Sequence, residues 1–256
     1  MPELPEVEIV KRSLSKMINN TTIVNIEIKN KNLRYKLPVK FSRELNGEKI
    51  LNISRRSKYL IFHFEKKILL AHLGMSGKFI LIRDHDKRIF KTSFYYNLNI
   101  NKKHNHVYFK LNNGYILIYN DVRRFGFLKV FKLNDIKKIP FLKKLGFEPF
   151  SKKFNLEYFK NYKKYKKRNI KNLLMDQTFV SGIGNIYVNE VLFASKIKPL
   201  RFCNSLKSYE IKSIIFNIKK ILKLSISKGG SSIKDFQNTL GKNGNFQQFF
   251  YVYGKY

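Results

Sequence analysis

The chain has 256 residues, 43% of them hydrophobic, enough for one large domain or two small ones with real cores. Lys plus Arg number 52 against 17 Asp plus Glu, and this formal net charge of +35 attracts polyanions, nucleic acid first among them. One cysteine, Cys203, excludes an internal disulfide and a cysteine-rich zinc site, and no apolar run reaches the roughly 18–20 residues of a membrane span.

The chain opens Met1-Pro2-Glu3-Leu4-Pro5-Glu6-Val7-Glu8. Removal of Met1, which a small Pro2 permits, leaves a secondary amine beside a carboxylate. An α-amino group has a reference pKa of about 7.7–8.0, so much of it is neutral where a lysine is protonated. Attack on a carbonyl or a sugar C1′ would give a cationic iminium, an electron sink for the next cleavage, with Glu3 to move the protons. Pro5 marks a helix start, and Val7, Val10, Leu14 and Met17 follow at helical spacing. A proline-started helix with a solvated Glu3 accounts for the same residues. The charged terminus carries no signal-peptide core, so a cytoplasmic, nucleoid-associated protein is expected.

Short β runs follow at Thr22–Ile28, Ile50–Ser54, Tyr59–Phe64, Ile68–Leu73, Val107–Leu111, Tyr115–Tyr119 and Phe125–Phe131. Asn112-Asn113-Gly114 reads as a hairpin turn, Asn97–Asn105 as a loop, and Arg83–Phe90 as a further irregular stretch. Strands at this spacing predict an antiparallel sandwich. Near residues 132–136 the period lengthens to that of helices. Lys152–Lys171 is dense in Lys and Tyr, and Ser208 begins a long helix ended by Gly229-Gly230. The expectation is an α+β protein with a β-rich domain over 1–132 and a helical domain over 133–256.

Several constellations carry chemistry. Lys58 follows Arg55 and Arg56 at a strand start, where positive neighbours and burial lower a lysine pKa. His72-Leu73-Gly74-Met75-Ser76-Gly77 displays Met75 at a loop tip, and Asp121-Val122-Arg123-Arg124-Phe125-Gly126 places Arg123 and Phe125 on one face if extended. A Met, an Arg and a Phe suit replacement of an extruded base in a DNA stack, and they equally suit a core with a surface Arg. Val180–Glu190 is a glycine turn feeding a helix, whose free N–H groups and the Asn185 amide form a phosphate site. Lys166, Lys167, Arg168 and Lys171 lie just upstream.

In this order the motifs resemble the formamidopyrimidine-DNA glycosylase family (bacterial 8-oxoguanine DNA glycosylase/AP lyase) from Pro2 to Gly254. The motifs that carry the likeness are Pro-Glu-Leu-Pro-Glu-Val-Glu, Ser-Lys-Tyr-Leu, His-Leu-Gly-Met-Ser-Gly, Lys-His-Asn-His, Asp-Val-Arg-Arg-Phe-Gly, Gly-Ile-Gly-Asn-Ile-Tyr and Lys-Asp-Phe. The resemblance implies a β-sandwich and a helix-two-turn-helix domain, with duplex DNA containing oxidised bases or abasic sites bound between them by a monomer. It implies Pro2 as Schiff-base nucleophile, Glu3 as general acid/base and Lys58 as a proton donor in β-elimination. It further implies Met75, Arg123 and Phe125 as gap fillers, and His104, Arg123, Lys166, Lys171 and Asn185 as DNA contacts. Glu190 falls near the lesion, and Ser231–Phe246 resembles a loop that closes over the base. The family's four-cysteine zinc finger is absent, because the sequence runs only to Tyr253-Gly254-Lys255-Tyr256, so no cofactor is expected and δ-elimination is the step put in doubt. A DNA-binding remnant without turnover and a basic RNA-gripping protein are the rival readings, and the intact Pro2, Glu3 and Lys58 argue against both.

Overall fold

The structure, a computed structural model, describes residues 1–84, 89–90, 101–163, 167–231 and 246–254. Of the stretches Asn97–Asn105, Arg83–Phe90 and Ser231–Phe246, residues 97–100, 85–88 and 232–245 therefore lie outside the described residues.

Helix α1 spans Leu4–Ile18 with Pro5 in its first turn, where a missing N–H costs nothing. Its stripe Val7, Val10, Leu14 and Ile18 is fully buried and joins the first core. Then come β1 (Thr21–Ile28), α2 (Phe41–Leu45), β2 (Lys49–Ile50), β3 (Asn52–Arg56), β4 (Tyr59–His63), β5 (Lys67–His72), β6 (Gly77–Arg83), β7 (Ile89–Phe90), β8 (Asn105–Leu111), β9 (Tyr115–Asp121) and β10 (Phe127–Lys132). They form two antiparallel sheets, β2-β1-β8-β9-β6-β7 and β10-β5-β4-β3, whose facing side chains make the core.

Three elements depart from expectation. The run Ile50–Ser54 divides at Leu51, because Ile50 pairs with Thr21 in one sheet while Asn52 pairs with His63 in the other. Strand β6 is apolar on both faces: Phe79 and Leu81 enter the core, and Ile80 packs with Ile116 and Ile118 on the outer side. Alternation is therefore invisible there. Phe125 and Gly126, expected to begin a strand, instead belong to the bend before β10, in which Arg124 is left-handed (φ 55°).

A 3-10 turn over Leu133–Lys138 and α3 (Pro140–Lys143) lead into the second lobe. There α4 (Leu156–Lys163), α5 (Ile170–Met175), α6 (Asn185–Ala194) and α7 (Ser208–Ser227) enclose a second core. Phe179 is its hub: Tyr158 stacks on it at 5.5 Å and Tyr162 packs tilted against it at 4.6 Å, which explains these two tyrosines of the Lys-rich stretch. Between α5 and α6 the chain makes two turns, one through Asp176–Thr178 and one through Gly182–Gly184.

The lobes are joined through Glu148. Its carboxylate accepts hydrogen bonds from Arg55 (2.9 Å), Arg56 (3.0 Å) and the Ser57 backbone N–H (2.6 Å). Arg56 also donates to the carbonyl oxygens of Leu145 and Gly146, and Arg55 to Glu8. Glu148→Ala removes the carboxylate shared by two half-buried guanidinium groups, leaving Arg55 only Glu8 and Arg56 no carboxylate. It is expected to cost about 3 kcal/mol, the low end for a broken buried pair because the pair is partly exposed. A urea midpoint unchanged from the wild type would contradict this.

Candidate active site

The amino terminus, the β3–β4 hairpin and the turn before α6 meet at one recess of about 340 Å³. Met1, Glu3 and Lys58 line it from the first lobe, and Met175, Gln177, Ile183, Gly184, Asn185, Ile186 and Tyr253 from the second. Pro2 is buried beside it.

Local chemistry sets each position. Leu4 donates its backbone N–H to Gly182 at 2.9 Å, locking the terminus to the glycine turn. Gly182 has φ 95°, and a Cβ there would meet Leu4 Cβ at 2.8 Å, so only glycine permits the approach. Gln177 braces the turn: it donates to the Ile183 carbonyl (2.7 Å) and accepts from the Gly182 N–H (2.8 Å) and the Ser57 hydroxyl (3.3 Å). Ser57 is left-handed (φ 57°) at the hairpin tip, which turns Lys58 inward, where it is 6% exposed.

Glu3 sits at the start of α6. Its carboxylate accepts the N–H of Gly184 at 2.5 Å and of Ile186 at 3.0 Å. These N–H groups are the ones a phosphate site would need, so the backbone part of that expected site is already engaged; Asn185 alone stays exposed at the helix start. Burial raises the Glu3 pKa to about 7, against the pull of Lys58 and the two N–H groups and with Glu6 adding to the rise. Burial lowers the Lys58 pKa, partly opposed by Glu3 and Glu6. Arg55 and Arg56, expected to depress it, are neutralised by Glu8 and Glu148.

Glu6 holds the terminus in place. It accepts from the Glu3 N–H (2.9 Å), the Tyr187 hydroxyl (2.6 Å) and both the N–H and hydroxyl of Ser231 (3.0 and 2.8 Å). Tyr187 and Ser225 complete this buried network at 2.6 Å.

Gly184 marks where the reactive groups converge. A Cβ on it would stand 2.6 Å from Glu3 Oε1 and 2.9 Å from Lys58 Nζ. Gly184→Ala displaces both groups, and a misplacement near 1 Å costs on the order of 100-fold in rate. That loss, with an unchanged circular-dichroism spectrum, is the expected result; full activity would contradict it.

His72, at the end of β5, stacks on Phe127 at 5.7 Å and accepts the Gly74 N–H at Nδ1 (3.1 Å). Burial, with Lys58 and Arg34 nearby, lowers its pKa to about 4. The neutral ring's contribution is fully present above the unfolded value near 6.5 and is lost as pH falls through about 4. It amounts to about 3 kcal/mol. The stability gap between wild type and His72→Asn should therefore narrow by about that amount from pH 7 to pH 4; a constant gap would refute it.

Met75 (39% exposed), Phe125 (45% exposed) and Arg123 stand on two loops tied by Asp121, a fully buried residue that sequence reasoning passed over. Asp121 accepts from the Ser76 hydroxyl (2.5 Å) and the Gly126 N–H (2.8 Å), and Ser76 accepts the Arg123 N–H (3.0 Å). The Arg123 guanidinium lies 4.6 Å over the Phe125 ring. The two side chains thus share a side through a turn, not through an extended strand.

Among the other expected DNA contacts, His104 is half-buried at the end of a 3-10 turn before β8, and Lys171 is half-buried in the first turn of α5. Lys166 lies outside the described residues. Arg168 pairs with Asp176 at 2.7 Å. Glu190 is 1% exposed, and its carboxylate accepts the backbone N–H groups of Tyr251 (2.6 Å), Val252 (3.1 Å) and Tyr253 (2.8 Å). It faces the tail's backbone and reaches the recess through Tyr253, which no motif had singled out. Cys203 is buried in the helical core, and a single thiol does not fit a four-cysteine zinc centre.

A sandwich and a helical lobe meet over a carboxylate and a lysine beside the amino terminus, and comparison with known proteins assigns this architecture to the DNA glycosylases of base-excision repair. The family model of the formamidopyrimidine-DNA glycosylase N-terminal domain matches residues 1–128, and that of the H2TH domain of the same enzymes matches residues 145–237. The formamidopyrimidine-DNA glycosylase of Rickettsia massiliae is 43% identical over 256 residues, covering 100% of this chain and 87% of the relative. That of Streptococcus agalactiae is 40% identical over 255 residues, covering 100% and 89%. The Lactococcus lactis enzyme in complex with DNA containing an abasic site has a TM-score of 0.86 at 36% identity, over 99% of this chain and 88% of that one. Its complex with DNA containing an oxidised pyrimidine gives 0.85 at the same identity and coverage. The chain belongs to the formamidopyrimidine-DNA glycosylase family.

Proposed function

We propose that the protein removes oxidised purines, 8-oxoguanine and formamidopyrimidines, from duplex DNA and then nicks the strand by β-elimination. The observation that carries this is the convergence of Glu3 and Lys58 on Gly184 beside the amino terminus. With Met1 removed, the neutral Pro2 nitrogen attacks C1′ as the C1′–N bond to the base breaks, and the base leaves with the proton that the attacking nitrogen gives up. The nitrogen lone pair then forms the C1′=N⁺ double bond as the C1′–O4′ bond breaks, and Glu3 gives its proton to O4′. The C2′ proton passes to water, the iminium takes up the electron pair it leaves, and this pair then expels the oxygen as the C3′–O bond breaks. Lys58 supplies a proton to the leaving phosphate oxygen. Met75, Arg123 and Phe125 occupy the gap left by the extruded base, and His104, Lys166, Lys171 and Asn185 hold phosphates. Each of these residues lies on one chain, so a monomer suffices.

The test is a duplex carrying 8-oxoguanine opposite cytosine, with released base and strand ends read by mass spectrometry. Free 8-oxoguanine with a 3′ unsaturated aldehyde is the expected outcome. Tight binding of an intact strand would support a DNA-binding remnant instead, and a preference for RNA would support the structural reading.

A further inference from the structure

A second concavity, larger than the catalytic recess at about 1220 Å³, runs between the end of α6, the outer side of α7 and the segment 246–254. Tyr253 lines both, so the two are neighbours. Phe193 and Tyr251 form a stacked pair at its edge, centroids 5.6 Å apart and 28° from parallel, each more than half exposed. Phe249 is 42% exposed with the Lys228 ammonium 5.4 Å over its ring. Lys196, Lys198 and Lys220 stand exposed along the walls. Among its described lining residues the one carboxylate, Glu190, is engaged by three backbone N–H groups.

Exposed aromatic faces between lysines are what unpaired nucleotides require: every base has a face to stack, and the cations follow the backbone. A duplex keeps its bases inside and cannot use such faces. A second copy of this chain would bring +35 against +35. We propose that this groove is a binding site for single-stranded DNA, taking unpaired nucleotides next to the catalytic recess. Its position beside that recess rests on the DNA glycosylase reading, whereas binding itself does not.

The chain contains no tryptophan, so Phe193→Trp places a single indole reporter in the groove. Titration with a lesion-free oligothymidylate should quench and shift its emission, and a duplex of equal length should do so far less. In fluorescence anisotropy on the otherwise unaltered chain, Phe193→Ala should weaken oligothymidylate binding about 5- to 150-fold, the range for loss of one stacked base. Lys198→Glu should weaken it further and flatten its salt dependence. Excision from an 8-oxoguanine duplex should be unchanged by either substitution, since neither residue lines the recess. Unchanged oligothymidylate affinity would overturn the proposal, as would an equal loss of duplex binding, or a poly-glutamate chain that quenches the indole as strongly and competes. Single-strand binding without any excision would sink the glycosylase reading and leave this one standing; the reverse would do the opposite.

Discussion

Glu3→Gln should slow base excision roughly 10²- to 10⁴-fold, the range for loss of a positioned general acid or base. The carboxyl has a pKa of about 7, so both its forms are populated at neutral pH, which suits a proton donor that must be reloaded each turnover. As the acid that protonates O4′, it is active when protonated, so the single-turnover rate should fall as pH rises through about 7. Gln retains an acceptor for one of the N–H groups of Gly184 and Ile186 but has no proton to give, so the variant should lose that limb as well as the rate. Strand cleavage at a preformed abasic site, where no base departs, should suffer less. Single-turnover kinetics from pH 5.5 to 9 measure both effects. A variant that keeps the wild-type limb near pH 7 would assign the titration to another group.

The parts of the site that were legible in the sequence are those where backbone and chemistry coincide locally. Pro2-Glu3, the helix starting at Pro5 and the glycine turn before Asn185 are contiguous, and their periodicity or glycine content declares them. What stayed hidden depends on contacts between distant segments. Asp121 shows itself only as the tie between the Met75 and Arg123 loops. Gln177 and Glu148 join the hairpin to the second lobe across gaps of 120 and 91 residues, and no local pattern marks them. The backbone N–H groups before α6 looked free because helix starts usually are; a carboxylate from 181 residues away accepts one of them. The strand β6 was missed for a different reason, since a run buried on both faces has no alternation to read.

The account stands or falls on the Pro2 nitrogen. While Met1 is attached, that nitrogen is an amide whose lone pair is delocalised into the carbonyl, and Met1 itself lines the recess together with Glu3 and Lys58. Removing Met1 creates the amine and opens the space for a sugar in one step. The most direct measurement is therefore borohydride trapping on a duplex carrying 8-oxoguanine opposite cytosine, comparing protein freed of Met1 with protein purified with Met1 in place. A covalent protein–DNA adduct in the first and none in the second is the predicted result. Equal trapping in both forms would place the nucleophile on another side chain and contradict the account.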